Sequence, residues 1–199
     1  LLAVHLDDLA VEDALHEHWA TELASAPEEI RRMIAYHMGW DDSAAASSRR
    51  GKRLRPVLLL MIVDALGRDW VPALPAAVAV EYLHNFSLIH DDIQDQSSHR
   101  HGREAVWKLW GIPQAINTGD AMFSMAYLAL LNARESSPPE LVNSMLETFS
   151  HTCLRLTEGQ HLDMLYETRE LISEAEYLSM VSGKTAALLA CCARLGGML

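Results

Sequence analysis

The chain has 199 residues, half of them hydrophobic, and carries 27 acidic against 16 basic side chains for a formal net charge of −11. That length and apolar content suffice for one substantial core, so a single domain over residues 1–199 is expected. The acidic balance excludes a general nucleic-acid binder, and no apolar run reaches the roughly 18 residues that a transmembrane segment needs. In chain order, Ser25-Ala26-Pro27-Glu28 reads as a capping box that opens a helix stopping at Gly39. Asp41 to Ser48 is a small polar loop. Pro56 suits a first helical residue, and Val57 to Leu66 form an apolar helix ended by Gly67. A long helix runs from about Pro75 to Asp95, followed by a polar loop with Ser97, Ser98 and Gly102. Pro113 opens the next helix through Leu131, and Pro138-Pro139 begins one that carries Gln160 and Asp163. Ser173 and Glu176 form an S-x-x-E cap for a final helix toward Arg194. Clean strand alternation is nowhere found. The fold class is all-α.

The chemistry concentrates first in Asp91-Asp92-Ile93-Gln94-Asp95, at the end of an apolar helical segment. At about 100° per residue, Asp91 and Asp95 project from nearly the same face, one turn apart. Carboxylates this close repel each other unless a cation neutralises them. Hard divalent ions with oxygen ligands, Mg²⁺ above all, suit the arrangement and bring substrate phosphates with them. An acidic helix end merely facing water would oppose the helix dipole.

A second cluster is its electrostatic opposite. Arg49, Arg50, Lys52, Arg53 and Arg55 put five cations into seven positions directly before a helix N-terminus, where free N–H groups already favour an anion. His84 lies seven residues before Asp91, on nearly the same helix face. Arg100 and Arg103, just past the acidic motif, can neutralise phosphate oxygens. Gln160 and Asp163, spaced i and i+3, share a helix face. Ser182-Gly183-Lys184-Thr185 imitates the end of a P-loop, but the required earlier glycine is Leu178 and no strand precedes it. P-loop nucleotide binding is therefore rejected, leaving Lys184 and Thr185 as one cation and one hydroxyl. Cys191 and Cys192 are adjacent, which suits no disulfide framework and points to a reducing cytoplasm. Leu1 to Asp8 lacks the basic start of a signal peptide, and the absence of an initiator Met suggests a longer chain.

GKRLRP (Gly51 to Pro56), LIHDDIQD (Leu88 to Asp95), AINTGDAMF (Ala115 to Phe123), GQHLD (Gly159 to Asp163) and KTA (Lys184 to Ala186) closely resemble, in order, the motifs of the trans-prenyltransferases, the polyprenyl diphosphate synthase family. The resemblance implies an all-α isoprenoid-synthase bundle around a central apolar cavity, usually as a homodimer. It also implies head-to-tail joining of isopentenyl diphosphate to an allylic diphosphate, with a short product, farnesyl or geranylgeranyl diphosphate. By position, Asp91 and Asp95 would hold Mg²⁺ on the allylic diphosphate with Asp92 close by, and Asp163 would support the metals through water. Arg100 would contact that diphosphate, and Gly51, Lys52, Arg55 and His84 would bind isopentenyl diphosphate. Lys184 would grip the leaving group, while Thr185 and Gln160 would face the carbocation.

Two departures from the family stand out. His101 replaces the second of two consecutive arginines, with Arg103 as a nearby compensating cation. The family's second aspartate-rich motif, due after the KTA segment, is not found, so the domain is expected to continue in further C-terminal helices beyond Leu199. A class I terpene cyclase would share the acidic motif but would have no use for GKRLRP. A non-catalytic regulatory subunit is opposed by intact Asp91, Asp95, Lys52 and Arg100. His90-Asp91 also suggests an HD-type phosphohydrolase, which leaves the i, i+4 aspartates unexplained.

Overall fold

A computed structural model describes residues 2–40 and 51–199. The polar loop expected from Asp41 to Ser48, together with Arg49 and Arg50, lies outside the described residues. Helix α1 (Leu2–Glu22) is followed by α2 (Glu28–Met38), α3 (Leu54–Ala65) and, after one 3₁₀ turn, α4 (Leu74–Gln94). A short ribbon of β1 (His99–Arg100) and β2 (Arg103–Glu104) then precedes α5 (Val106–Trp110) and α6 (Ile112–Leu131). A second 3₁₀ turn leads to α7 (Pro139–Tyr166), α8 (Glu174–Val181), a π-helical turn (Ser182–Ala186) and α9 (Ala187–Met198). The all-α expectation is borne out, with the two-residue strands as the exception among the described residues.

Helix α4 is the axis of the bundle. Pro75 sits in its first turn, where a missing N–H costs nothing. Every residue from Ala76 to Leu83 is buried, so the helix is enclosed on all sides at that level. Its small alanines admit α6 closely along its length, while α3, α1 and α9 close the remaining sides. The last three turns emerge from this sheath and carry the acidic motif. At 1.5 Å per residue, the helix is about 30 Å long and delivers Asp91 to the far end from its start.

Helix ends follow local chemistry. Gly39 ends α2 in the left-handed conformation (φ 77°), and the cap N–H groups reach the Ala35 and Tyr36 carbonyls. The capping box expected at Ser25 does not form; Pro27 is the N-cap, with no side-chain cap bond. A residue before proline is disfavoured in the helical region, so Ala26 cannot join the helix that Ser25 would need to cap. The Ser173 cap does form: its hydroxyl accepts from the Glu176 N–H, and the Glu176 carboxylate accepts from the Ser173 N–H.

Glu174–Met198 is a helical run of 25 residues whose hydropathy reaches 1.2, long and apolar enough by composition to cross a membrane, contrary to the sequence expectation. Its C-terminal part packs as a bundle helix does, while Glu174–Val181 has no buried residue. Leu188, Cys191, Cys192, Leu195 and Gly196 are buried, and α9 packs on α3 and α7.

Candidate active site

Where α4 leaves the core, Phe86, Ser87, His90, Asp91 and Gln94 form one face across from Leu156, Thr157, Gln160, His161 and Met164 of α7, and Lys184 completes the wall. Both helices use the same i, i+1, i+4, i+5, i+8 spacing, which aligns a single stripe on each. Between them lies a cavity of about 290 Å³. Lys184 reaches it because the chain widens into the π turn at Ser182–Ala186. The backbones of that turn and α7 touch through glycines. A β-carbon on Gly183 would stand 2.8 Å from the Arg155 carbonyl oxygen, and one on Gly159 would collide with the Lys184 backbone.

The electrostatics of this wall are unbalanced. Burial pushes the Asp91 carboxyl up to about 6; Lys184 pulls against that, while Asp95 adds to it. Lys184 forms an ion pair with Asp163. Burial works against its charge, but Asp163, Asp91 and Asp95 together hold its ammonium above its ordinary value. One cation thus sits in the field of three aspartates from α4 and α7. Gln160, also at the wall, has both amide atoms buried without a hydrogen-bond partner. Thr185 is exposed and does not line the cavity, so it is not brought to the site that its neighbour Lys184 occupies.

Asp92 faces elsewhere. It is 2% exposed, and Arg100 on β1 donates to its carboxylate from Nη2 at 2.6 Å and from Nε at 3.1 Å. The pair ties the ribbon to α4. The turn joining β1 and β2 needs positive φ at both central residues, His101 (φ 50°) and Gly102 (φ 78°), which leaves His101 exposed at its tip. Arg103, expected to stand in for a second arginine, is committed to Tyr36: it donates to the Tyr36 carbonyl at 2.6 Å and stacks 3.5 Å over the ring.

The basic cluster divides on folding. Lys52 is exposed and Gly51 partly so. Arg55 Nη1 lies 3.0 Å from His84 Nε2. Burial pushes the His84 imidazole down to about 3, with Arg55 adding to the shift, so the ring is neutral and accepts from the guanidinium. Arg53, counted with the phosphate cations, instead enters the core. It donates to Glu12 at 3.0 Å and to Glu81 at 2.7 Å.

Residues 42–199 match the polyprenyl synthetase family model. The chain belongs to the polyprenyl synthetase family. It is 41% identical over 172 residues to a (2E,6E)-farnesyl diphosphate synthase of Mycobacterium tuberculosis, covering 85% of this chain and 47% of that protein. A geranylgeranyl diphosphate synthase of Methanosarcina mazei is 46% identical over 149 residues, 75% of this chain and 45% of that one. Among solved structures, a geranylgeranyl pyrophosphate synthetase from the archaeon Geoglobus acetivorans superposes with a TM-score of 0.83 at 35% identity, over 98% of this chain and 58% of that one. The chain spans about half the length of the curated relatives it matches.

Within this member of the polyprenyl synthetase family, the described residues hold no cluster of three or more His, Cys, Asp or Glu side chains arranged as a complete metal cage. Asp91 and Asp95 nevertheless suit Mg²⁺, which takes one or two carboxylates and fills its remaining positions with phosphate oxygens and water. A half-buried carboxyl with a raised pKa beside a second carboxylate is a group that a cation would relieve. Sequence reasoning passed over His161 and Met164 as cavity walls, and also His37, beside Arg100 and His101 in a smaller cavity. Spacing along α7 from Gln160 would have found the first two; nothing local marked His37.

Proposed function

We propose that the protein is a Mg²⁺-dependent prenyltransferase that condenses isopentenyl diphosphate head-to-tail with an allylic diphosphate. The observation that carries this reading is the placement of two distinct polar stations on one helix. Asp91 opens onto the cavity with Lys184, and two turns earlier, about 10 Å away, His84 meets Arg55. A cyclase, with one diphosphate to hold, has no use for the second station.

Asp91 and Asp95 would hold the metal, and Asp163 would support it through water. When bound, Mg²⁺ supplies charge neutralisation for the departing diphosphate. Lys184, beside Asp91, grips that leaving group as the allylic C–O bond breaks. The Gln160 amide oxygen, buried and unpartnered at the cavity wall, faces the positive charge that develops on carbon. Thr185, exposed here, is not assigned that role. Phe86, Leu156 and Met164 exclude water from the cation. Lys52 and Arg55, with His84 and the neighbouring Gly51 backbone, orient isopentenyl diphosphate for attack. Arg100, fixed by Asp92, contacts the allylic diphosphate beside His101. The unpaired thiols of Cys153, Cys191 and Cys192 suit a reducing cytoplasm. The exposed Ile112, Ile116 and Leu128 of α6 suit a homodimer.

The two stations separate kinetically. Arg55→Ala should raise KM for isopentenyl diphosphate by about ten- to a hundredfold, the worth of a hydrogen bond to a charged group, with a small effect on the allylic KM. Arg100→Ala should instead raise the allylic KM and lower kcat, as steady-state assays varying each substrate will show. Equal effects of both changes on both substrates would refute the assignment.

Product length should be set by aromatic bulk below Asp91. Phe86 lines the cavity five residues before Asp91 and packs 4.9 Å from the Phe123 ring, with Ser87 the small residue beside it. We assign a farnesyl or geranylgeranyl product on this floor. Phe86→Ala opens apolar volume below the metal site, and chromatography of the products should show chains longer by one or more five-carbon units. An unchanged distribution would place the floor on α6.

A further inference from the structure

Away from the catalytic wall, a cavity of about 420 Å³ opens between α1, the start of α4 and the end of α6. Val78, on its wall, stands about 20 Å along α4 from Asp91. Leu74, Pro75 and Val78 give it an apolar side, and Glu17, Glu22 and Glu135 supply carboxylates around it. Among the described residues, no Lys or Arg lines it. His18 of α1 lines it as well, with its side chain 8% exposed and neither ring nitrogen hydrogen-bonded. Glu22 Oε1 stands 3.9 Å from Nε2, close enough to attract but beyond hydrogen-bond reach. Burial holds the imidazole below its ordinary pKa against the pull of Glu22, so the ring is neutral at pH 7. A neutral imidazole carries one N–H and one lone pair. Glu22 can take the proton on a small shift. The lone pair still needs a donor, and ionised carboxylates have none to offer. Leaving it bare costs free energy, because buried ring nitrogens are normally met. An anion would enter against three carboxylates. A bare metal ion finds no cluster of three His, Cys, Asp or Glu among the described residues, and it would leave the apolar side unused. A positive donor on a carbon chain answers both sides of the cavity.

We propose that this cavity binds an aliphatic diamine or polyamine, one ammonium donating to His18 and the carboxylates of Glu17, Glu22 and Glu135 pairing with its charges. The methylene chain lies on Leu74, Pro75 and Val78. The site goes beyond the prenyltransferase reading and does not depend on it. An ammonium has three donors, so a single group can serve His18 and a carboxylate together. The net charge of −11 draws any cation diffusely. Selectivity comes from the His18 contact and the apolar side, since pairing at the exposed Glu17 and Glu135 is weak.

The test titrates putrescine into the intact protein by calorimetry, in about 0.15 M salt to screen the diffuse attraction. His18→Ala should weaken binding by about ten- to a hundredfold, the worth of a hydrogen bond to a charged group. Glu135→Gln, an exposed change that leaves the core alone, should weaken it by about two- to fivefold. Asp91→Asn should leave the affinity unchanged, which separates this site from the catalytic wall. In imidazole nitrogen NMR of the wild type, the His18 resonances should shift with putrescine and not with magnesium chloride at equal ionic strength. A wild type that binds no putrescine overturns the proposal, and so does equal affinity in wild type and His18→Ala. Loss of binding in Asp91→Asn with His18→Ala unaffected would move the amine to the catalytic cavity and overturn it too. An equal His18 shift with magnesium would make this a metal site and overturn the amine assignment. If His18→Ala fails to fold, Glu17→Gln combined with Glu135→Gln decides, and unchanged affinity in that variant overturns the proposal.

Discussion

Replacing Asp91 by asparagine should cut turnover by about a thousandfold or more while making the ligand-free protein more stable above pH 6. Both effects have one cause. Burial holds the Asp91 carboxyl at about 6, with Asp95 and Asp92 adding to the shift against Lys184 and Arg100. The folded protein therefore keeps a proton on Asp91 over a pH range in which the unfolded chain has released it. The stability linked to that proton is full below the ordinary carboxylate range and is lost as pH rises through about 6. At neutral pH the wild type carries a desolvated negative charge for which only a cation compensates. Asparagine keeps the shape and drops the charge. For a half-buried group, solvent screening reduces the gain to about 1 kcal/mol, a few degrees in melting temperature. Thermal unfolding at pH 8 should show the variant ahead, and at about pH 3, below the ordinary carboxylate range, the difference should nearly vanish. A variant with near-normal turnover would remove Asp91 from the metal site. One equally destabilised at both pH values would show that the side chain serves packing instead of binding.

That stability–function conflict was legible in the sequence, because the i, i+4 aspartates lie at the end of a largely apolar helix. The α4 boundaries expected from Pro75 and the acidic motif, Pro75 to Asp95, differ by one residue at each end from the observed Leu74–Gln94. Other features depend on partners distant in the chain. The π turn that brings Lys184 to the cavity exists because Gly159 and Gly183 let two backbones touch, a contact between segments more than 20 residues apart. A capping pattern alone reads that region as one continuous helix. The β1–β2 turn needs a left-handed histidine, which most residues in that position avoid, and strands of two residues are too short to show alternation. His37 carries no spacing relation to any motif; only the folded chain sets it beside Arg100 and His101. The resemblance placed Asp91, Gln160 and Lys184 in one site, and the cavity indeed brings these three together. It also placed Thr185 there, and the exposed side chain lies outside the lining.

Arg53 separates charge pattern from charge function, and its removal should cost about 3–5 kcal/mol of stability, as breaking a buried ion pair does. In the sequence it is one cation among five. In the fold its side chain is 2% exposed and bridges Glu12 of α1, 41 residues away, to Glu81 of α4, 28 residues away. Burial opposes its charge, and Glu81 and Glu12 more than offset that, holding the guanidinium above its ordinary value. Glu12 also accepts from the Trp40 indole and Glu81 from Asn85, so both carboxylates are already built into the core. The backbone at Arg53 turns left-handed (φ 45°) as it caps α3. Lys52 therefore stays at the surface while Arg55 enters the helix toward His84. Arg53→Ala strands two carboxylates in the core and should lower the melting temperature by roughly 10 °C. Adding Glu81→Gln to that variant removes one stranded charge and should return part of the loss, whereas Glu81→Gln alone should destabilise. Thermal denaturation of the four proteins reads the coupling directly. If Arg53→Ala instead kept its stability and raised KM for isopentenyl diphosphate as Arg55→Ala does, Arg53 would belong with the substrate cations and not with the core.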